Sequence, residues 1–140
     1  MKQEFYNLRI NTDGQRLYEF TDSTIEWVNE NKFKNGIINL SIQHTSASLI
    51  VQENADPDVQ TDLINYFNNL APMDDKLYIH NTEGKDDMPA HIKSALTNNQ
   101  ISLSIKNNKL LLGTWQGIYL FEHRLNPQTR MVIHHFIGDI

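Results

Sequence analysis

The sequence predicts an α+β domain, a mostly antiparallel β-sandwich or distorted barrel with two or three helices packed against it. Three observations carry that reading. Apolar and polar residues alternate in short segments, above all Ile38, Leu40 and Ile42 against Asn39, Ser41 and Gln43. From Gln100 onward the apolar period falls to two, with turn residues at short intervals. Between these stretches lie segments of helical spacing flanked by start and stop residues.

Taken in order, Phe5 to Ile10 and Gln15 to Phe20 read as a hairpin on Asn11-Thr12-Asp13-Gly14, because Asp-Gly favours tight reversal. Asp22 or Ser23 caps a helix running to about Lys34, and Gly36 ends it. The Ile38 to Ile42 strand follows with one buried face, and Ser48 to Gln52 is its successor. Asp56 and Pro57 open a helix with Val59, Leu63, Ile64, Phe67 and Leu70 on one stripe, stopped by Pro72. Leu77 to His80 reads as a short strand, and Pro89 starts a helix with Ile92, Ala95 and Leu96 facing inward. Ile101 to Lys106, Lys109 to Leu112, Gln116 to His123 and Arg130 to Ile137 form a meander. Its turns are Lys106-Asn107-Asn108-Lys109 and Leu125-Asn126-Pro127-Gln128.

Composition narrows the function classes. The chain of 140 residues reads as one domain, residues 1–140, without a repeat, low-complexity tract or linker. A hydrophobic share of 39% includes no apolar run near the roughly 18 residues of a membrane span. Met1-Lys2-Gln3-Glu4-Phe5 carries no apolar signal core, so a cytoplasmic location without membrane association is expected. The formal net charge is −5 with scattered Lys and Arg, which disfavours a nucleic-acid partner. There is no cysteine, so a bound metal must use His, Asp, Glu or Asn.

Chemistry concentrates in a few runs. His44 prolongs the buried face of its strand, and Thr45, Ser46 and Ser48 add hydroxyls suited to ligand oxygens, although an ordinary hydrogen-bonded turn would use the same residues. In Glu53-Asn54-Ala55-Asp56, Asp56 has a capping duty. Glu53 and Asn54 have none, so Glu53 suits a base or metal ligand and Asn54 a ligand-orienting amide. Asp87 and His91, four apart at a helix start, share a face, and His80 can converge on them across the loop. His44, His80 and His91, or two of them with a carboxylate, are the candidate metal ligands, for a divalent ion such as Zn²⁺ or Mg²⁺. Thr114, Trp115 and Gln116 offer a hydroxyl, a stacking ring and an amide between Gly113 and Gly117. Glu122 and Arg124 share a face with Gln116 and either bind an anion or pair with each other. His123, His134 and His135 have no supporting cluster and read as surface or hydrogen-bonded histidines.

Together these runs resemble the YjbQ-like family over nearly the whole chain, with the motifs in the family's order. The resemblance implies a β-sandwich-like α+β fold, a homotrimer with its pocket near the subunit boundary, and a weak, secondary thiamin-phosphate synthase activity on small phosphorylated substrates. It places the family's polar motif residues on His44, Thr45, Ser46, Glu53, Asn54, Asp56, His80, Asp87, His91, Thr114, Trp115, Gln116, Glu122 and Arg124. Among them His44, Thr45, Glu53, Asn54, Asp87, His91 and Gln116 are the candidate catalytic residues and Ser46, Thr114, Trp115, Glu122 and Arg124 the candidate substrate contacts, while departure of pyrophosphate calls for cation assistance from Arg124, Lys93 and a metal. Metal-dependent hydrolysis of a phosphorylated compound and non-catalytic metal or ligand binding are the competing readings. One feature of the residues agrees with a trimer. The strand from Gln116 is apolar on both faces, Trp115, Tyr119 and Phe121 against Ile118 and Leu120, and a short chain has limited means to cover both.

Overall fold

The chain builds eight strands, all paired antiparallel, into two facing sheets that curl as a half-barrel with three helices against them. The computed structural model describes residues 1–140. Strands β1 (Lys2–Thr12), β8 (Gln128–Asp139), β3 (Asn35–Ile42), β5 (Gln100–Lys106) and β6 (Lys109–Leu110) form the larger sheet in that spatial order. Strands β2 (Arg16–Glu19), β7 (Gln116–Glu122) and β4 (Ala47–Glu53) form the smaller one. Ile38, Leu40, Ile42, Val132 and Phe136 of the first sheet meet Leu49, Ile118 and Leu120 of the second. Helix α1 (Thr21–Glu30) adds Trp27 and Val28 to that core. The expected α+β class holds, and no helix is long and apolar enough to cross a membrane.

Strand pairing departs from the sequence reading in two places, for one reason. β1 pairs with β8 and β2 with β7, so Asn11 to Gly14 is a crossover between sheets rather than a hairpin turn. The C-terminal strands are no meander either, because β7 lies between β2 and β4 while β8 lies between β1 and β3. Local turn chemistry cannot specify a partner distant in sequence. Where the partner is adjacent it does: Asn107 and Asn108 both adopt positive φ, 51° and 63°, in the reversal joining β5 to β6.

Helix ends show the same division. Asp56 caps α2 (Pro57–Leu70), its Oδ1 accepting from Asp58 N–H at 2.9 Å, as expected. Helix α1, by contrast, starts one residue after Phe20 with no side-chain cap. It ends at Glu30 with Asn31 as its C-cap, well before Gly36. Lys32 takes φ 55°, Phe33 N–H donates to Val28 O and Lys32 N–H to Asn29 O, each at 3.2 Å, which is a Schellman closure. Gly36 belongs to β3, where a Cβ would sit 2.3 Å from the carbonyl oxygen of Ile137, so the strands approach too closely for any side chain.

The expected strand at Leu77 to His80 is a 3₁₀ turn (Asp75–Leu77) followed by exposed loop, which frees His80 from any ladder. Helix α3 (Asp87–Leu96) buries Asp87, Pro89, Ala90 and Lys93, leaving Ala95 and Leu96 outside. The inward face of α3 is therefore polar at both ends. The two apolar faces of β7 are both covered within the chain, the inner by the larger sheet and the outer by α2 through Leu63, Ile64 and Phe67. That pattern consequently says nothing about an interface.

Candidate functional site

Three donor atoms converge where the loop after the 3₁₀ turn meets the first turns of α3. His80, Asp87 and His91 each offer one ligand atom, all within 4.8 Å of one another. Asp87 Oδ2 lies 2.8 Å from His80 Nε2 and 3.2 Å from His91 Nε2. The four-residue spacing on α3 aligns Asp87 with His91, as the sequence predicts. His91 Nδ1 is 2.9 Å from the carbonyl oxygen of Thr45, which can only accept, so Nδ1 carries a proton and Nε2 is the nitrogen turned toward Asp87 Oδ2. A backbone carbonyl that sets the tautomer in this way is the usual support of a metal-ligating imidazole. Glu83 Oε2 stands 2.9 Å from His80 Nε2 and adds a second carboxylate at the rim.

Asp87 divides its oxygens. Oδ1 accepts from Arg124 Nη1 at 2.7 Å while Oδ2 faces the imidazoles. Burial alone would raise its pKa, but the hydrogen bond to His80 and the charges of His91 and Arg124 hold it below the usual carboxylate range. Asp86 is held low against its burial by Leu125 N–H and then by Arg124. Arg124 is itself filled: Nε donates to Asp86, Nη1 to Asp87 and Nη2 to the Glu83 carbonyl. It fixes the carboxylates rather than offering a free cation.

His44 lies beside this group but does not join its donors. Its Nε2 accepts from Met131 N–H at 3.2 Å, so the lone pair expected to bind metal is occupied. Burial, and then the Arg130 charge, lowers its pKa and keeps the ring neutral. His44, Thr45 and His91 nevertheless line one open cleft of about 220 Å³, with Ser94 and Asn99. Thr45 contributes its carbonyl and Ser46 accepts from Arg130 Nη2 through both its hydroxyl and carbonyl oxygens.

Arg130 escaped the sequence reading, as did its pairing with Glu122. Glu122 is fully buried and takes Arg130 in a bidentate pair of 2.8 and 2.6 Å, plus the Thr12 hydroxyl at 2.7 Å. Toward Arg124 it accepts only from the backbone N–H, at 3.2 Å. The signal was present: Arg130 falls on the same alternating face as Val132, His134 and Phe136, and an inward arginine demands a buried acid. His123 is buried too, with Nε2 2.9 Å from Ser48 Oγ and Nδ1 without a partner. Lys93, expected near a leaving group, is wholly buried, donates to Asn68 Oδ1 at 2.6 Å and is lowered to about 8 by burial against the opposing pull of Asp86.

The remaining expected site residues lie elsewhere. Ala47 pairs with Glu122 at one end of the β4–β7 ladder and Glu53 with Gln116 at the other. Six residues of strand separate these ends by about 20 Å. Glu53, Asn54, Thr114, Trp115 and Gln116 thus occupy the far end, away from His80, Asp87 and His91. Gln116 Oε1 accepts from Gly113 N–H at 2.7 Å, Asn54 donates to Glu19 at 3.2 Å, and Trp115 is 63% exposed.

The family model for UPF0047 protein YjbQ-like matches residues 6–139. The chain belongs to the YjbQ-like UPF0047 family. It is 50% identical to the UPF0047 protein sll1880 of Synechocystis over 133 residues, spanning 95% of this chain and 90% of that protein. It is 38% identical to the UPF0047 protein MJ1081 of Methanocaldococcus jannaschii over 134 residues, 96% of this chain and 93% of that one. Among solved structures, a YjbQ/UPF0047-family protein of Clostridium acetobutylicum superposes with a TM-score of 0.82 at 33% identity, covering 96% and 99% of the two chains. A YbjQ-like protein of Sulfolobus solfataricus reaches 0.85 at 20% identity over 99% and 100%, a likeness of fold alone. The YjbQ-like resemblance of the motifs is thus a family membership, carried on the family's fold.

Proposed function

We propose that this YjbQ-like protein is a divalent-metal-dependent enzyme acting on a small phosphorylated compound, with His80, Asp87 and His91 holding the metal. The observation that carries the reading is the Thr45 carbonyl on His91 Nδ1, which fixes the ring with Nε2 turned toward Asp87 Oδ2 as the prospective ligand atom. Two imidazole nitrogens and one carboxylate oxygen, without cysteine, are a donor set suited to zinc. When bound, such an ion supplies Lewis acidity toward phosphoryl oxygens. Arg124 keeps Asp87 ionised and oriented, and Glu83 is placed to accept a proton at the rim.

Within that class, family resemblance supports the thiamin-phosphate synthase reaction, in which a pyrimidine pyrophosphate is joined to a thiazole phosphate and pyrophosphate departs. Hydrolysis is the second reading, and the openness of the site favours it: His80 is 46% exposed at its side chain, so water has free access. With Arg124 and Lys93 both committed internally, neither is free to receive pyrophosphate, which supports a weak synthase at most. Turnover of the two thiamin precursors, with and without Zn²⁺ or Mg²⁺, tests the proposal. Metal-stimulated condensation lost in His91→Ala supports the synthase. Metal-stimulated phosphate release without condensation supports the hydrolase, and equal rates in His91→Ala would refute the site. The homotrimer belongs to the same proposal. Its surface would be the outer face of the larger sheet, where Phe5, Ile37 and Ile137 are exposed. Light scattering near three times 16.3 kDa is the expected result.

A further inference from the structure

The four arginines divide into two pairs of opposite character. Arg124 and Arg130 spend their N–H groups on Asp86, Asp87, Glu122 and Ser46. Arg9 and Arg16 are exposed, and their guanidiniums form no ion pair and no hydrogen bond within the chain. Both line the same cleft, about 520 Å³, between the unpaired edges of β1 and β2. A volume of that order holds a small molecule. In a chain of net charge −5, two arginines without an acid partner on the lining of one cleft are a local reversal of the overall field.

The cleft is also organised. The Arg16 guanidinium lies 4.4 Å over the Tyr18 ring, and a stacked guanidinium keeps its in-plane N–H fork free for a partner. Tyr18 is pinned in turn, its hydroxyl donating to the Gly14 carbonyl and accepting from Asp13 N–H, each at 2.8 Å. The platform beneath Arg16 is therefore set before any ligand arrives. Ser23 and Gln60 supply neutral polar groups on the lining. Glu19, the acid on the lining, is turned toward the Thr21 hydroxyl at 2.8 Å and Asn54 at 3.2 Å. We propose that this cleft binds the phosphate or diphosphate group of a small molecule through Arg9 and Arg16, independently of the His80, Asp87 and His91 site. Guanidinium forks match phosphoryl oxygens in geometry and charge.

Calorimetry of the full chain after chelation of metal, with pyrophosphate as one probe and citrate as the other at low ionic strength, tests the site. Saturable pyrophosphate binding, weakened at least about tenfold in Arg9→Gln/Arg16→Gln and unchanged in His91→Ala, is expected. Both arginines are exposed, so the double variant should keep the parent unfolding midpoint, which is measured alongside. Unchanged affinity in the double variant would overturn the proposal, as would loss of binding in His91→Ala. Citrate binding in place of pyrophosphate would overturn the phosphoryl assignment. Because the metal site is emptied throughout, failure here is distinct from failure of the enzyme reading.

Discussion

The two ends of the β4–β7 ladder carry equally suggestive residues in sequence and very different physics in space. At the Ala47–Glu122 end, polar groups are buried or half-buried and satisfy one another between elements: Glu122 with Arg130, Asp87 with Arg124, and His91 with Thr45. At the Glu53–Gln116 end, Gln116 bonds a residue three positions away and Trp115 stands in solvent. Desolvated groups held by charged or carbonyl partners on other elements are oriented before a ligand arrives, whereas exposed side chains open to water are not. Co-occurrence along the chain is thus weaker evidence for a site than convergence with burial.

The largest contrast should appear on breaking the buried ion pair. Glu122→Ala would leave Arg130 desolvated and unpaired, an expected loss of roughly 3–5 kcal/mol, read from urea unfolding. Gln116→Ala at the opposite end of the ladder is the matched control. A Glu122→Ala loss below about 1 kcal/mol would mean that Arg130 finds water and that this end is no more preorganised than the other.

Next comes metal binding. Asp87→Asn and His91→Ala should each weaken zinc retention on the order of a hundredfold, measured by competition with a chromophoric chelator, whereas Asn54→Ala should not change it. Parent affinity should itself decline on acidification, because ligation needs neutral imidazole and releases protons. Equal retention by all three variants would place the metal elsewhere.

A smaller effect separates the buried histidines from the open site. Burial lowers His123 to about 3, with the charges of Lys93 and Arg130 adding to it, and lowers His134 to about 4. Both are 6.5 groups when unfolded, so the fold favours their neutral form. Their contribution is complete above pH 6.5 and is lost as pH falls toward 4 and then 3, while the unfolded chain takes up protons that the folded chain does not. Each adds at most about 1.4 kcal/mol per pH unit across that window. The urea midpoint should therefore drop between pH 7 and 4.5, and less steeply in His134→Gln; a flat profile would contradict the burial assignment.

Smallest of all, Trp115→Ala should change stability by about 0.5 kcal/mol or less, given its exposure. A large loss of activity without loss of stability would show instead that the far end of the ladder takes part in the reaction.

What the sequence determined by itself were the features decided within a few residues. Period-two alternation marked β3 and its buried face, Asp56-Pro57 marked the start of α2, and Asn107-Asn108 marked a hairpin. The Asp87–His91 pair was legible because four residues are one turn of helix. Family membership was legible as well, since the motifs resemble those of the YjbQ-like family, whose model matches residues 6–139. Only the tertiary structure decided which of these groups meet. It sent β1 and β2 to different sheets, took His44 out of the ligand set by aiming Met131 N–H at its Nε2, and divided the expected pocket between two ends of one ladder. It also gave Glu122 to Arg130 instead of Arg124. The physical reason is common to all four: strand pairing and buried charge pairing join residues on different elements, and their energies depend on burial that no local pattern encodes.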